Sequence, residues 1–211
     1  MASEAVQEAA LEALLQGVAD KWSEVEFVVK PHNNHKDVAI LDGFADMLTL
    51  LEDSNISMMT ASASRCAPNT RHSAHCSARL SLACRSVPCS GPTCKLNVAC
   101  RFIAGIQSEF DTLQQSLQLL SETLDEYMEL QRAWMYLEPI FSAQDIQRQL
   151  PEESRQFTAV DKQYKAVVAA VRDRPKAMQT FTSPALLKTL KGCNETLENV
   201  QVRNFSCIKC A

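Results

Sequence analysis

Apolar residues recur between 101 and 150 at alternating steps of three and four: Ile103, Ile106, Phe110, Leu113, Leu117, Leu120, Leu124 and Tyr127. That spacing is a heptad seam, and it continues through Gln131 to Trp134. No Pro falls in it before Pro139, and its only Gly is Gly105. Pro139 cannot continue a helix and pushes Glu138 away from helical φ/ψ, so the pattern predicts one helix ending near Leu137. A straight helix from Arg101 to Glu138 would be roughly 57 Å long, at about 1.5 Å per residue. Its apolar stripe has to lie against another helix, a demand that any core helix of an all-α protein also meets.

Shorter periodic runs flank this one. Val6, Leu11, Leu14, Leu15, Val18 and Trp22 predict a first helix with Ser3 as its cap. Val25, Phe27 and Val29 then alternate with Glu24, Glu26 and Val28, and Val38 and Ile40 follow the polar run Pro31–His35. Two short strands around a turn fit that pattern. Asp42 is the expected cap of a second helix carrying Phe44, Met47, Leu48, Leu51 and Ile56. Beyond the long helix, Ser142 is the expected N-cap of a short helix, with Asp145 three residues on. Pro151 suits the first turn of the next helix, with Glu152 and Glu153 near its positive end. That helix carries Phe157, Val160, Tyr164, Val167, Val168 and Val171 and ends near Arg174–Pro175. A short helix over Lys176–Phe181 comes next, and Ser183–Pro184 opens a last one bearing Leu186, Leu187, Leu190, Leu197 and Val200. Trp134, Tyr136, Ile140 and Phe141 are expected to pack the bend after the long helix into a fixed corner.

The chain across that bend reads Gln131-Arg132-Ala133-Trp134-Met135-Tyr136-Leu137-Glu138-Pro139-Ile140-Phe141, and a few residues later Asp145-Ile146-Gln147-Arg148-Gln149-Leu150-Pro151-Glu152-Glu153. This resembles the N-terminal linker region of dynein heavy chains, marked by a QxxWxYLExIF run and then DIxxQLPxE. The wording is closer to the axonemal than to the cytoplasmic type. The residues that carry the resemblance are Gln131, Trp134, Tyr136, Leu137, Glu138, Ile140, Phe141, Asp145, Ile146, Gln149, Leu150, Pro151 and Glu153. Trp22, Glu26, Phe27 and Gly43 match the same family's pattern near the N-terminus, and Asn194–Glu198 matches it near the other end. The resemblance covers roughly residues 8–62 and 101–200.

Charge separates one stretch from the rest. No Asp or Glu occurs between Ser54 and Ser108, which carry +6 against −4 for the whole chain. Six of the nine Cys also lie there: Cys66, Cys76, Cys84, Cys89, Cys94 and Cys100. Removing Ala63–Cys100 joins Ser62 to Arg101 and restores the family pattern in frame. The stretch has no apolar period and is read as an unrelated insert, translated non-coding sequence such as a retained intron, without order of its own. Zinc is the rival reading, with His72 and His75 beside the cysteines, but the CxxC pairs of zinc modules are missing from it. Disulfides are disfavoured in a reducing compartment. The chain thus divides into 1–62, 63–100, 101–200 and a divergent tail, 201–211. A lone CxxC, Cys207–Cys210, in that tail is read as stray sequence, and His32 and His35 as a solvated turn.

Composition narrows the chemistry. Gly is scarce, at 5 residues, and neither GxxxxGK[ST] nor GxGxxG occurs, so no phosphate cradle is expected. The net charge of −4 points to neither nucleic acid nor an anionic membrane as partner. No apolar run approaches the roughly 20 residues of a membrane span. Met1–Ala10 has two Glu and no basic residue, unlike a secretory signal. The expected fold is mainly α: elongated helical bundles with one long central helix and a small β-hairpin near the N-terminus. No catalytic residue, cofactor or metal is expected. Asp145, Glu152 and Glu153 form the densest acidic cluster near aromatics, and helix capping accounts for them. The resemblance implies a truncated fragment of a rod-like linker that lies across an ATPase ring and swings in the power stroke. Its partners would be the remainder of the heavy chain and other dynein subunits, in a ciliary or flagellar axoneme. A helical interaction scaffold is the alternative.

Overall fold

A computed structural model describes the backbone over residues 2–32, 35–65 and 99–208, and the side chains over 9–32, 39–61 and 106–202. In chain order the elements are α1 (Ala2–Glu24), β1 (Val28–His32), β2 (His35–Asp42), α2 (Phe44–Arg65), α3 (Ala99–Phe141), α4 (Gln144–Gln149), α5 (Pro151–Asp173), α6 (Ala177–Thr180) and α7 (Pro184–Ile208). The architecture is mainly α, with one two-stranded antiparallel hairpin near the N-terminus among the described residues, as the periodicities predict.

The core is built on α3, which packs against α1, α2, α4, α5, α6 and α7. Its 43 residues span about 65 Å of helix. The heptad seam is the buried stripe: Ile106, Phe110, Leu117, Leu120, Leu124, Tyr127 and Trp134 are all in the core. From Thr123 onward a second row joins it, with Leu130, Leu137 and Phe141 also buried. The C-terminal half of α3 is therefore apolar on more than the one stripe that a two-helix seam needs.

Two expectations at the bend fail. The long helix does not stop at Leu137; it runs through Pro139 to Phe141, and the Ser142 amide still donates to the Glu138 carbonyl at 3.0 Å. A Pro inside a helix costs about 3 kcal/mol. Leu137 and Phe141 lie one turn apart and are both buried, and burying two such side chains is worth a similar amount. Ser142 is not a cap either. Ala143 holds the N-cap position of α4 without a side-chain bond, and Ser142 Oγ donates to Glu138 Oε1 at 3.0 Å. Gln147 Nε2 closes the turn on the Phe141 carbonyl at 2.7 Å. Pro151 does open α5, with Glu152 and Glu153 in its first turn.

In the N-terminal half, Leu15, Val18 and Trp22 of α1 and Met47, Leu51, Met58 and Ala61 of α2 face the core. Ser3 lies inside α1, which begins at Ala2, so it is not the cap. Ile56, expected on the apolar face of α2, is 62% exposed. The stripe passes through Ser54 instead, whose hydroxyl accepts from Trp22 Nε1 at 3.0 Å. Asp42 ends β2 rather than opening α2; its carboxylate accepts from the Gly43 amide and pairs with Lys30. Those two contacts, Lys30 first, hold the Asp42 carboxyl below the usual range. Gly43 sits at φ 88°, where an L side chain costs roughly 1–2 kcal/mol.

All six apolar residues expected on α5 are buried. On α7, Leu190, Leu197 and Val200 are buried, while Leu186 and Leu187 are half-buried. α7 continues past Gln201 to Ile208. No helix among the described residues is long and apolar enough to cross a membrane. The metal and disulfide readings of the 63–100 stretch, and the side chains of Cys207 and Cys210, fall outside what the structure describes.

Candidate functional site at the junction of hairpin and long helix

The hairpin sits on α3 and α5 through polar atoms placed one or two turns apart. β1 and β2 pair with Val29 opposite Leu41 and Pro31 opposite Ala39. On the other edge of β2, the Leu41 amide donates to Gln131 Oε1 and Gln131 Nε2 donates to the Leu41 carbonyl, each at 2.9 Å. Tyr127 OH, one turn before Gln131, donates to the same Oε1 at 3.0 Å. Tyr164 OH on α5 lies 3.2 Å from both the Ala39 carbonyl and Gln131 Oε1, and donates to one of them at a time. Burial pushes the Tyr164 phenol up to about 12 and the Tyr127 phenol higher still, its neighbour Tyr164 adding to the effect.

Aromatic rings enclose this network. Trp134 and Tyr164 stack with centroids 4.3 Å apart, and Tyr164 and Tyr127 at 6.1 Å. Trp134 Nε1 donates to Asp161 Oδ1 at 3.1 Å, and Asp161 also pairs with Lys165 at 2.7 Å. His32, read from sequence as part of a solvated turn, is buried, with its ring edge-on to Trp134 at 5.9 Å. The end of β1 folds back onto α3, and the imidazole shields the indole. At the start of the hairpin the Phe27 amide donates to the Pro175 carbonyl at 2.9 Å, and the Ala177 amide to the Val25 carbonyl at 3.0 Å. The residues expected to begin the first strand thus form a bridge to the α5–α6 connection, and β1 itself starts at Val28.

Of the motif residues, the structure brings Gln131 and Trp134 together around Tyr164. Leu137 is fully buried, and Phe141 stacks on Phe157 at 5.1 Å. Trp134 does not pack at the α3–α4 corner, because its indole reaches back along α3 to α5. Tyr136 belongs to neither group: it is 53% exposed. Ile140 and Ile146 are half-buried against the core. Glu138 receives the Ser142 hydroxyl. Asp145 and Gln149 are exposed on α4, Leu150 links α4 to α5, and Pro151 and Glu153 occupy the first turn of α5. Tyr127, Tyr164, Leu41, Ala39, His32 and Asp161 complete the site and were not singled out for it in the sequence. The legible signal was Gln131 itself, a polar residue in an apolar seam.

The arrangement joins the hairpin to α3 and α5. Its centre is a neutral carboxamide, two phenols that resist ionisation and main-chain amides, with the His32 ring and the Asp161 carboxylate engaged by Trp134 at its edge. Among the described residues no three His, Cys, Asp or Glu side chains are placed to share a metal. A second polar joint ties α7 to α3, where Asn194 Nδ2 donates to the Glu126 carbonyl at 3.0 Å and to its Oε2 at 2.8 Å.

The sequence is similar to known proteins. The family described as dynein heavy chain, N-terminal region 2, matches residues 1–82 and 97–203. The match reaches further into the Cys-rich stretch than the resemblance seen in the sequence, and it leaves 83–96 uncovered. Human dynein axonemal heavy chain 6 is 35% identical over 201 residues, 95% of this chain and 4% of that protein. Human dynein axonemal heavy chain 2 is 27% identical over the same share of each, and mouse dynein axonemal heavy chain 12 is 37% identical over 99 residues, 47% of this chain and 3% of that protein. The chain thus spans only a few per cent of the length of these relatives. A family match on both sides of a short gap, and axonemal relatives along 95% of the sequence, carry one conclusion: the chain belongs to the dynein heavy chain family, within its N-terminal region 2.

Proposed function

We propose that this chain forms part of the mechanical linker of an axonemal dynein heavy chain and contributes to microtubule-based movement in the full-length motor. The observation that carries the reading is α3: one helix of 43 residues, against which α1, α2, α4, α5, α6 and α7 all pack. A helix buried along most of its length and braced from several sides resists bending, so a displacement applied at one end reaches the other. The segment itself performs no catalysis, binds no nucleic acid and enters no membrane. Its partners are the ATPase ring of the same heavy chain and other dynein subunits, and its place is the cytoskeleton of a ciliary or flagellar axoneme.

The test uses a full-length axonemal heavy chain carrying this segment, with a short Gly-Ser break inserted in α3 after Asp125. ATP hydrolysis should persist while microtubule gliding slows several-fold. Gliding at the unbroken speed would overturn the reading. The isolated chain should neither bind nor hydrolyse ATP, and saturable nucleotide binding at micromolar concentration would count against it.

A further inference from the structure

Gln131 stands in an apolar seam, and its carboxamide is committed to the main chain of one strand. β1 occupies one edge of β2; on the other, Gln131 takes both the amide and the carbonyl of Leu41. Tyr164 reaches the Ala39 carbonyl on that same edge. A side-chain amide here reproduces the donor–acceptor pair that a third strand would present. Among the described side chains of the hairpin, Leu41 and His32 are buried and Val29 and Ala39 are half-buried against the core, whereas Val28, Lys30 and Pro31 are exposed. The helices beneath it share a continuous apolar core.

We propose that Gln131 is a surrogate strand and a latch: it sets the position of the hairpin along α3, and its release frees β1 and β2 together while α3, α5 and α7 stay packed. Segments with few buried apolar contacts, held by polar ones, open ahead of the core. Only a group offering one donor and one acceptor side by side can serve at this position. A carboxamide does so at every pH, and a carboxyl group only when protonated. The inference rests on the geometry of the hairpin and stands apart from the linker reading.

The experiment is amide hydrogen exchange on the full chain, for wild type, Gln131→Glu and Gln131→Met. In wild type, the hairpin amides should exchange together and earlier than those of α3 between 117 and 137. In Gln131→Glu at pH 8, the carboxylate has no proton for the Leu41 carbonyl. Hairpin exchange, corrected for its intrinsic pH dependence, should then run about tenfold faster than wild type, as expected when a buried main-chain group loses its partner. That ratio should fall towards one as the pH is lowered and the new carboxyl group takes up a proton, since it then again offers a donor to the Leu41 carbonyl. Gln131→Met should exchange fast at every pH. Among the described side chains, the titratable groups around the site are Tyr127 on α3, Tyr164, Asp161 and Lys165 on α5, and His32, Lys30 and Asp42 on the hairpin. All are common to the three proteins and cancel in the ratio. Wild-type hairpin amides that exchange only with global unfolding would overturn the proposal, and this arm stands even if Gln131→Glu fails to fold. So would a Gln131→Glu ratio indifferent to pH, or one in which α3 is loosened as much as the hairpin.

Discussion

Trp134 has one face on Tyr164, an edge of His32 against it, and its nitrogen on Asp161. It is completely buried. Trp134→Ala should therefore destabilise the chain by about 3–5 kcal/mol, the range for a core aromatic, read from the denaturation midpoint in urea. Trp134→Phe should recover part of that loss, because a ring still stacks on Tyr164 while the Asp161 bond and some buried volume go. Tyr127 and Tyr164 act at the same scale through their protons. Both phenols have folded pKa values raised above the ordinary 10, so the unfolded chain gives up their protons first. The stability they contribute is complete below pH 10 and is lost as the pH rises towards about 12. Alkaline titration should show tyrosinate absorbance from these two residues rising together with loss of helix signal. Smooth ionisation of both in a still-folded chain would contradict their burial.

At the scale of elements, α3 shows how packing overrides a local break. Pro139 removes one helical hydrogen bond, yet the helix continues because Leu137 and Phe141 on either side are buried. Pro139 itself is exposed, so its side chain contributes little to the core. Pro139→Ala should raise stability by about 1–3 kcal/mol through the restored bond and the better helix former, seen as a higher thermal midpoint. A drop would mean that the ring holds the turn into α4 in place. The hairpin shows the converse, an element of marginal strength in isolation that is held by atoms from two helices. Its register along α3 depends on the Gln131 amide more than on its own two strands.

At the scale of the whole molecule, the described residues pack α1, α2 and α4–α7 around one long helix. The family match stops at residue 82 and resumes at 97. Deleting 83–96 should leave the melting temperature unchanged or higher, since shortening a connection recovers little entropy and none of these residues belongs to the matched pattern. Unfolding on deletion, or stoichiometric zinc that stabilises the intact chain, would make the stretch a structural module. The wider cut, Ala63–Cys100, would also remove the last residues of α2 and the first two of α3, so the shorter deletion is the cleaner comparison.

Periodicity alone determined most of the architecture. The seam from Ile106 to Trp134 and the six buried residues of α5 follow from a helix repeating every 3.6 residues, whereas the residue that β2 buries is Leu41, out of step with Val38 and Ile40. The motif around Trp134 was likewise legible, because its residues are contiguous. What only the tertiary structure decided were matters of partner rather than pattern. Pro139 stays in a helix because neighbours on both sides are buried, which no local rule contains. Ile56 and Ser54 exchange roles because the stripe of α2 is set by where Trp22 reaches. Tyr136 turns to solvent although it shares a motif with Trp134, since residues two apart on a helix face different ways. The site itself joins Leu41, Gln131 and Tyr164, which are up to 123 positions apart in sequence. A carboxamide that completes a strand edge can be recognised only once that edge is beside it.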